Sequence, residues 1–397
     1  MPAIGNESRP SGQYVEIEAG LRAFVPNFLP IDFPIDMEMV AALSDADRAV
    51  GALAGLGLHA ANPHLLIPPF LRKEAVASSR IEGTQADLGQ LVLFEAMDVE
   101  AHPGSDVREV SNYVRALEYG LAYQAEQPVS LWLMRAMHAQ LLDGVRGVDL
   151  SPGQVRIRQN HIARRGQTIR QARYIPPPPT LIPELLENLE QYIVSPSPHP
   201  PLIRLALVHY QFEAIHPFLD GNGRLGRLLI SLLLSTWDVL PQPLLYLSAY
   251  FEQHREEYMT GLLRVSTDSA WRSWIILVLG AIREQSNDAL LTSRRLTALR
   301  EEYRERYHTG RSAWILLAID LLFERPVITV SRLARSLNIT YPTAMSIVTI
   351  LERDGVLTET TGNRRNRVYG AMEIFNVLLT DMPEPDQTAG SVAQGQE

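Results

Sequence analysis

The stretch His216-Pro217-Phe218-Leu219-Asp220-Gly221-Asn222-Gly223-Arg224-Leu225-Gly226-Arg227 lies between two strongly apolar segments in the middle of the chain. It reads as a reactive loop feeding a helix. Behind it Leu228, Leu229, Ile230, Leu232, Leu233 and Leu234 are apolar on nearly every helical face, the pattern of a helix buried inside a helical core. Such a helix holds its own N-terminus rigidly.

That N-terminus suits a polyphosphate. The first turn of a helix leaves backbone N–H groups unpaired and carries partial positive charge, and Gly221 and Gly223 remove side chains that would keep an anion away. Arg224 and Arg227, three residues apart, project from one face and can present guanidinium forks to successive phosphates. Asp220 supplies one carboxylate at the mouth of the cradle, which fits magnesium's habit of binding one or two carboxylates plus phosphate oxygens. His216, the loop's one side chain that titrates near neutrality, is placed to take a proton from an attacking hydroxyl. Asp, Gly and Asn also dominate ordinary tight turns, but a mere turn has no use for paired arginines behind it.

These twelve residues resemble, position for position, the signature of Fic proteins, His-Pro-Phe-x-Asp/Glu-Gly-Asn-Gly-Arg-x-x-Arg. The resemblance implies transfer of AMP from ATP to a protein Ser, Thr or Tyr hydroxyl, with His216 as base and Asp220 binding Mg2+. It further implies that Asn222, with the Gly221 and Gly223 backbone, holds the α- and β-phosphates while Arg224 and Arg227 grip the outer ones. The Doc branch, which phosphorylates its target, carries Lys where this chain has Gly223, so AMP transfer is the expected reaction.

A second stretch, Arg72 to Thr84, predicts a helix in which Ser78 and Glu82 share a face and Gly83 ends the helix at C′. A carboxylate at a helix C-terminus opposes the macrodipole, so Glu82 is expected to answer to a partner elsewhere. The stretch resembles the Fic inhibitory motif Ser/Thr-x-x-x-Glu-Gly/Asn. There the Glu pairs with the second motif arginine, here Arg227, and blocks productive seating of the γ-phosphate of ATP.

Around these motifs the chain predicts a mainly α protein. Met1 to Gly12 is expected to be disordered and is followed by a Pro-punctuated segment; helices begin near Met37. Val155 and Ile157 alternate with Arg156 and Arg158, and Arg173-Tyr174-Ile175 returns before four prolines, which predicts one β-hairpin in a helical region. Its position resembles the Fic flap, which implies that residues 155–175 dock a target protein by strand addition. Pro243 to Phe251, together with Tyr258, resembles the segment completing the nucleotide pocket, with Tyr250 a candidate for adenine, whereas Trp271 and Trp274 read as core.

A charged helix then leads to a separate unit with Thr329 and Thr340 as N-caps and Gly355 as a helix stop. This unit resembles a winged helix-turn-helix, in which Arg332, Arg335, Arg353, Arg364, Arg365 and Arg367 would contact DNA phosphates or, alternatively, the module would orient a partner protein. The expected organisation is an N-terminal helical region with the inhibitory helix (1–105), an all-helical Fic core with its flap (106–290), a linker helix (291–310), the winged helix (311–372) and a disordered tail (373–397).

Composition narrows the alternatives. At 397 residues, two or three domains are expected. A net charge of −9 argues against nucleic-acid binding over the whole surface. No apolar run reaches the ~20 residues of a membrane span. The absence of cysteine leaves no disulfide framework, and with no signal-peptide pattern at the N-terminus a cytoplasmic location is expected. Two other readings use the same residues: a DNA-binding regulator with a nucleotide-sensing Fic domain, or an enzyme removing AMP with Glu82 positioning water. Oligomerisation and the target are left open.

Overall fold

The computed structural model describes residues 10–59, 63–97, 104–145, 151–163, 166–308 and 313–380. Fifteen α-helices and five short strands make up the described residues.

The core is assembled on α7 (Pro201–Ile215) and α8 (Asn222–Thr236), which enclose the signature loop. The apolar run predicted to be buried is so: Leu225, Leu228, Leu229, Ile230, Leu232, Leu233 and Leu234 are each at most 2% exposed. Burial of this kind, roughly 1.5–3 kcal/mol for each large aliphatic side chain, holds the helix start in place. Around the pair stand α4 (Asp106–Gln124), α5 (Leu131–Leu141) and α6 (Ile182–Val194). On the N-terminal side lie α1 (Met37–His59), α2 (Ile67–Ile81) and α3 (Leu88–Met97).

After α8 come the short α9 (Ser248–Gln253), α10 (Arg255–Asp268) and α11, which runs without a break from Trp271 to Tyr307. Trp271 and Trp274 are core residues, as expected. The expected boundary at residue 290 therefore falls inside one helix. Its first half packs on the core, and its second half buries Leu296, Tyr303 and Tyr307 towards the C-terminal unit.

That unit comprises α12 (Ala313–Glu324), β3 (Val327–Thr329), α13 (Val330–Leu337), α14 (Tyr341–Arg353), β4 (Thr358–Glu359), β5 (Val368–Gly370) and α15 (Met372–Leu379). Its strands form an antiparallel sheet in the order β3-β5-β4. Thr329 and Thr340 cap α13 and α14 by accepting from the N–H groups of Arg332 and Thr343. Residues 373–379, expected in a disordered tail, instead belong to α15, which buries Ile374 and Leu378; residues 381–397 lie outside the described residues. Arg332 does not face outward as a phosphate contact would. It donates to the Glu95 carbonyl on α3, where the Glu95 carboxylate also pairs with Arg72 of α2 at 2.7 Å.

Two strand expectations need correction. Residues 10–26 are not a leader followed by an irregular segment, since β1 (Gly12–Ile17) and β2 (Leu21–Pro26) pair antiparallel through a turn at Gly20; residues 1–9 lie outside the described residues. The 155–175 segment does double back, but its arms join only at the bridge between Ile162 and Tyr174. Its alternation runs against hydropathy: Arg156 is 2% exposed and Ile157 92%. The return arm is braced by the N-terminal hairpin, with Phe24 N–H donating to the Ile175 carbonyl at 2.9 Å. Among the described residues no helix is long and apolar enough to cross a membrane.

Candidate active site

The signature loop is fixed by its own side chains. α7 ends at His216, whose backbone is left-handed (φ 49°), and Gly221 takes φ 75° to start α8. Phe218 N–H donates to Asn222 Oδ1 and Asn222 Nδ2 donates to the Phe218 carbonyl, both at 2.9 Å. Asn222 is 2% exposed, so its side chain locks the loop, and what faces a ligand at this turn is backbone.

Two residues that sequence reading passed over complete the lock. Arg156 donates from Nε to the His216 carbonyl (2.9 Å) and from Nη2 to the Pro177 carbonyl (2.6 Å). Burial lowers its pKa to about 10, which leaves it charged at neutrality. His138 on α5 accepts from Gly153 N–H at Nδ1 (2.8 Å), so Nε2 carries the proton and donates to the Asp220 carbonyl (2.8 Å). Its ring stacks on Phe218 at 3.8 Å. Burial lowers its pKa to about 4, and the neutral ring is what this bonding requires. Nothing in the local pattern marks either residue, for Arg156 reads as the polar half of a strand and His138 as one residue of an apolar helix.

His216 is neutral as well. Burial, with the nearby Arg156 charge, lowers its pKa to about 4. Nδ1 donates to the Glu213 carbonyl at 3.3 Å, which leaves the Nε2 lone pair for a proton. It lines a cavity of about 280 Å³ together with Glu82, Glu213, Gly223, Arg227, Arg255 and Tyr258, an apolar side of Ile162, Met259, Leu262 and Leu263, and the 161–174 arms.

The two arginines are both buried. Arg227, 2% exposed, donates from Nε to Ser78 Oγ (2.8 Å) and from Nη2 to the Ser78 carbonyl (2.9 Å) and Glu82 Oε1 (2.7 Å). Its pKa rises: burial opposes the charged form most strongly, but the Glu82 carboxylate with Tyr258 and Glu213 together outweigh it. The Glu82 carboxyl, 42% exposed, is lowered in turn, the cost of its partial burial being outweighed by Arg227 together with Arg224. Glu82 caps α2 and Gly83 follows with φ 98°, as the sequence predicts. Arg224 sits 3.3 Å from Glu109 Oε2 and 3.7 Å from Asp220 Oδ1.

Asp220 keeps a half-exposed carboxylate at the mouth, with one oxygen accepting from Gly221 N–H at 2.6 Å. No cluster of three or more acidic or imidazole ligands exists among the described residues, so a cation here would take most of its ligands from the phosphates it accompanies. Glu213, whose pKa burial raises to about 7, lies between α7 and α8. Tyr250 does not line the cavity. It packs on His254 at 4.3 Å, and the tyrosine in the wall is Tyr258, bonded through its hydroxyl to His209 Nε2 at 2.9 Å. His216, Gly223, Arg227 and Glu82 thus line one cavity, and Ser78 joins them through Arg227; Gly221, Asp220 and Arg224 lie on the adjoining turn outside the cavity lining, and Tyr250 is outside it as well.

Comparison with known proteins places this geometry. Residues 40–122 match the Fic/DOC family N-terminal profile and residues 128–234 the Fic/DOC family profile. Protein adenylyltransferase fic-1 of Caenorhabditis elegans is 28% identical over 164 residues, which is 39% of this chain and 30% of that protein. Protein adenylyltransferase Fic of Drosophila mojavensis is 29% identical over 202 residues, 48% of this chain and 37% of that protein. The chain spans about a third of the length of these curated relatives. A Fic family protein from Desulfovibrio desulfuricans shares the fold, with TM-score 0.55 at 22% identity over 85% of this chain and 97% of that one. With both profiles matched in order and the signature loop intact, residues 40–234, a little under half of the chain, are a Fic/DOC family region.

Proposed function

We propose that this chain is a protein adenylyltransferase, transferring AMP from ATP to a Ser, Thr or Tyr hydroxyl of a protein target, and that its own helix α2 holds it inhibited. The observation that carries the reading is the Glu82–Arg227 pair at 2.7 Å inside the cavity that also holds His216 and Gly223. In the reaction, neutral His216 accepts the hydroxyl proton at Nε2 as the target oxygen bonds the α-phosphorus. The bond from that phosphorus to the bridging oxygen breaks, and pyrophosphate leaves. Charge on the phosphates is met by the unpaired N–H groups of the first turn of α8 and by the motif arginines. Asp220 would hold magnesium, which when bound neutralises phosphate charge. The apolar side of the cavity, Ile162 with Met259 and Leu262, suits an adenine ring.

Inhibition follows from competition for one guanidinium. While Glu82 occupies Arg227 Nη2, a γ-phosphate has to displace a carboxylate to reach it, and each ~1.4 kcal/mol favouring the pair costs about tenfold in productively bound ATP. The deciding experiment compares protein labelling from α-labelled ATP by wild type, Glu82→Gly and Glu82→Gly/His216→Ala.

Residues 313–379 support a winged helix in which α14 leaves Tyr341, Thr343, Ser346 and Thr349 exposed and the wing exposes Arg364, Arg365 and Arg367. This surface would take DNA or a protein partner, and salt-sensitive DNA binding separates the two. Target docking along residues 155–175 and a cytoplasmic location belong to the same proposal.

A further inference from the structure

The two motif arginines are held by two different carboxylates. Glu82 on Arg227 belongs to α2, whereas Glu109 on Arg224 belongs to α4 and lies outside both the signature loop and the Ser78–Glu82 stretch. Glu109 lies in the first turn of α4 and is 8% exposed; Arg224 is 4% exposed. Arg224 occupies the first turn of α8, where a cation opposes the helix dipole, and its guanidinium is out of water. A buried cation in such a place needs a fixed counter-charge. Two carboxylates face it: the half-exposed Asp220 Oδ1 at 3.7 Å, and the buried Glu109 Oε2 at 3.3 Å, which is itself steadied by Thr84 Oγ1 donating to the same oxygen at 3.2 Å. The turn carrying Thr84 is anchored once more to α4, where Gln85 N–H donates to Asp106 Oδ2 at 2.8 Å.

We propose that Glu109 is a positioning residue that aims Arg224 at the outer phosphates of the bound nucleotide. The inference rests on the adenylyltransferase reading of the site. It makes a separable claim: Glu109 acts on a nucleotide only through Arg224, and only on one that has β- and γ-phosphates. AMP lacks them and is indifferent to Glu109.

Calorimetry on the full chain, with magnesium and Glu82→Gly as parent, tests this. ATP and AMP are titrated into the parent, Glu109→Gln, Arg224→Ala and the Glu109→Gln/Arg224→Ala pair, each checked by thermal unfolding. Loss of a charge-assisted contact predicts that Glu109→Gln weakens ATP about tenfold and leaves AMP within about twofold. In the Arg224→Ala background Glu109→Gln should add nothing. Should Glu109→Gln fail to fold, Glu109→Asp, which keeps the charge but shortens its reach, is expected to show the same ATP-selective loss. Equal weakening of ATP and AMP, or a tenfold loss that persists without the Arg224 side chain, overturns the inference. A parent that binds AMP but not ATP, or neither, overturns the nucleotide reading itself.

Discussion

Arg227 of α8 donates to both Ser78 Oγ and Glu82 Oε1, so one guanidinium is clamped at two points four residues apart on α2. The Ser78 hydroxyl and carbonyl seat the arginine through Nε and Nη2, and Glu82 accepts from the same Nη2. Ser78 is fully buried while the Glu82 side chain is 42% exposed. Part of the pair can therefore open without unfolding the helix.

Gly223 lets that carboxylate approach. A Cβ at Gly223 would lie 2.3 Å from Glu82 Oε1, so Gly223→Ala should push the carboxylate off Arg227. Glu82 is flexible and partly exposed, which puts the cost near ~1 kcal/mol. Urea unfolding should show this loss in wild type and little of it in the Glu82→Gly background, because the clash partner is then absent.

The base is expected to work well below the pH at which an ordinary histidine protonates. As the proposed base His216 would act when neutral, and burial with the Arg156 charge lowers its pKa to about 4. For Glu82→Gly, the labelling rate at saturating ATP should therefore stay flat from about pH 8 to about pH 5.5 as far as His216 is concerned, and fall below that. A rate that halves near pH 6.5 would mean that the ring is solvated in the working enzyme.

Arg156 bonds one carbonyl of the loop, that of His216, and the Pro177 carbonyl beyond the return arm. Arg156→Met keeps the aliphatic stem but strands the carbonyls of His216 and Pro177, at about 1–3 kcal/mol for each buried acceptor left without a donor. Urea unfolding should register a loss of roughly 3 kcal/mol in total, and labelling by the Glu82→Gly protein should drop with it. Unchanged stability would mean that water replaces the guanidinium.

The site was legible where chemistry demands contiguous residues. The proposed phosphate cradle puts its glycines, carboxylate and arginines within one turn of a helix start, so His216 to Arg227 stand out as a contiguous motif; Glu82 and Gly83 stand out at a helix end, while the pairing with Arg227 was expected from the family resemblance. His138, Arg156 and Glu109 were not legible, because each acts on the loop from an element distant in sequence and carries no local mark. The short β1–β2 hairpin was masked by the proline at its end, Pro26, and those beyond it, Pro30 and Pro34. The unbroken α11 was masked by its change from an apolar to a charged composition, although both halves bury one face. The 155–175 alternation misled because Arg156 is buried for its donors while Ile157 stays out.

The central claim is that Glu82 restrains an otherwise complete transferase. Its most direct measurement is the initial rate of protein labelling from α-labelled ATP with magnesium, Glu82→Gly against wild type, with Glu82→Gly/His216→Ala as the chemical blank. Loss of one partly exposed charge-assisted contact predicts a rise of at least about tenfold in Glu82→Gly, abolished in the blank while ATP still binds. Equal rates in wild type and Glu82→Gly, or label that survives loss of His216, would contradict the account.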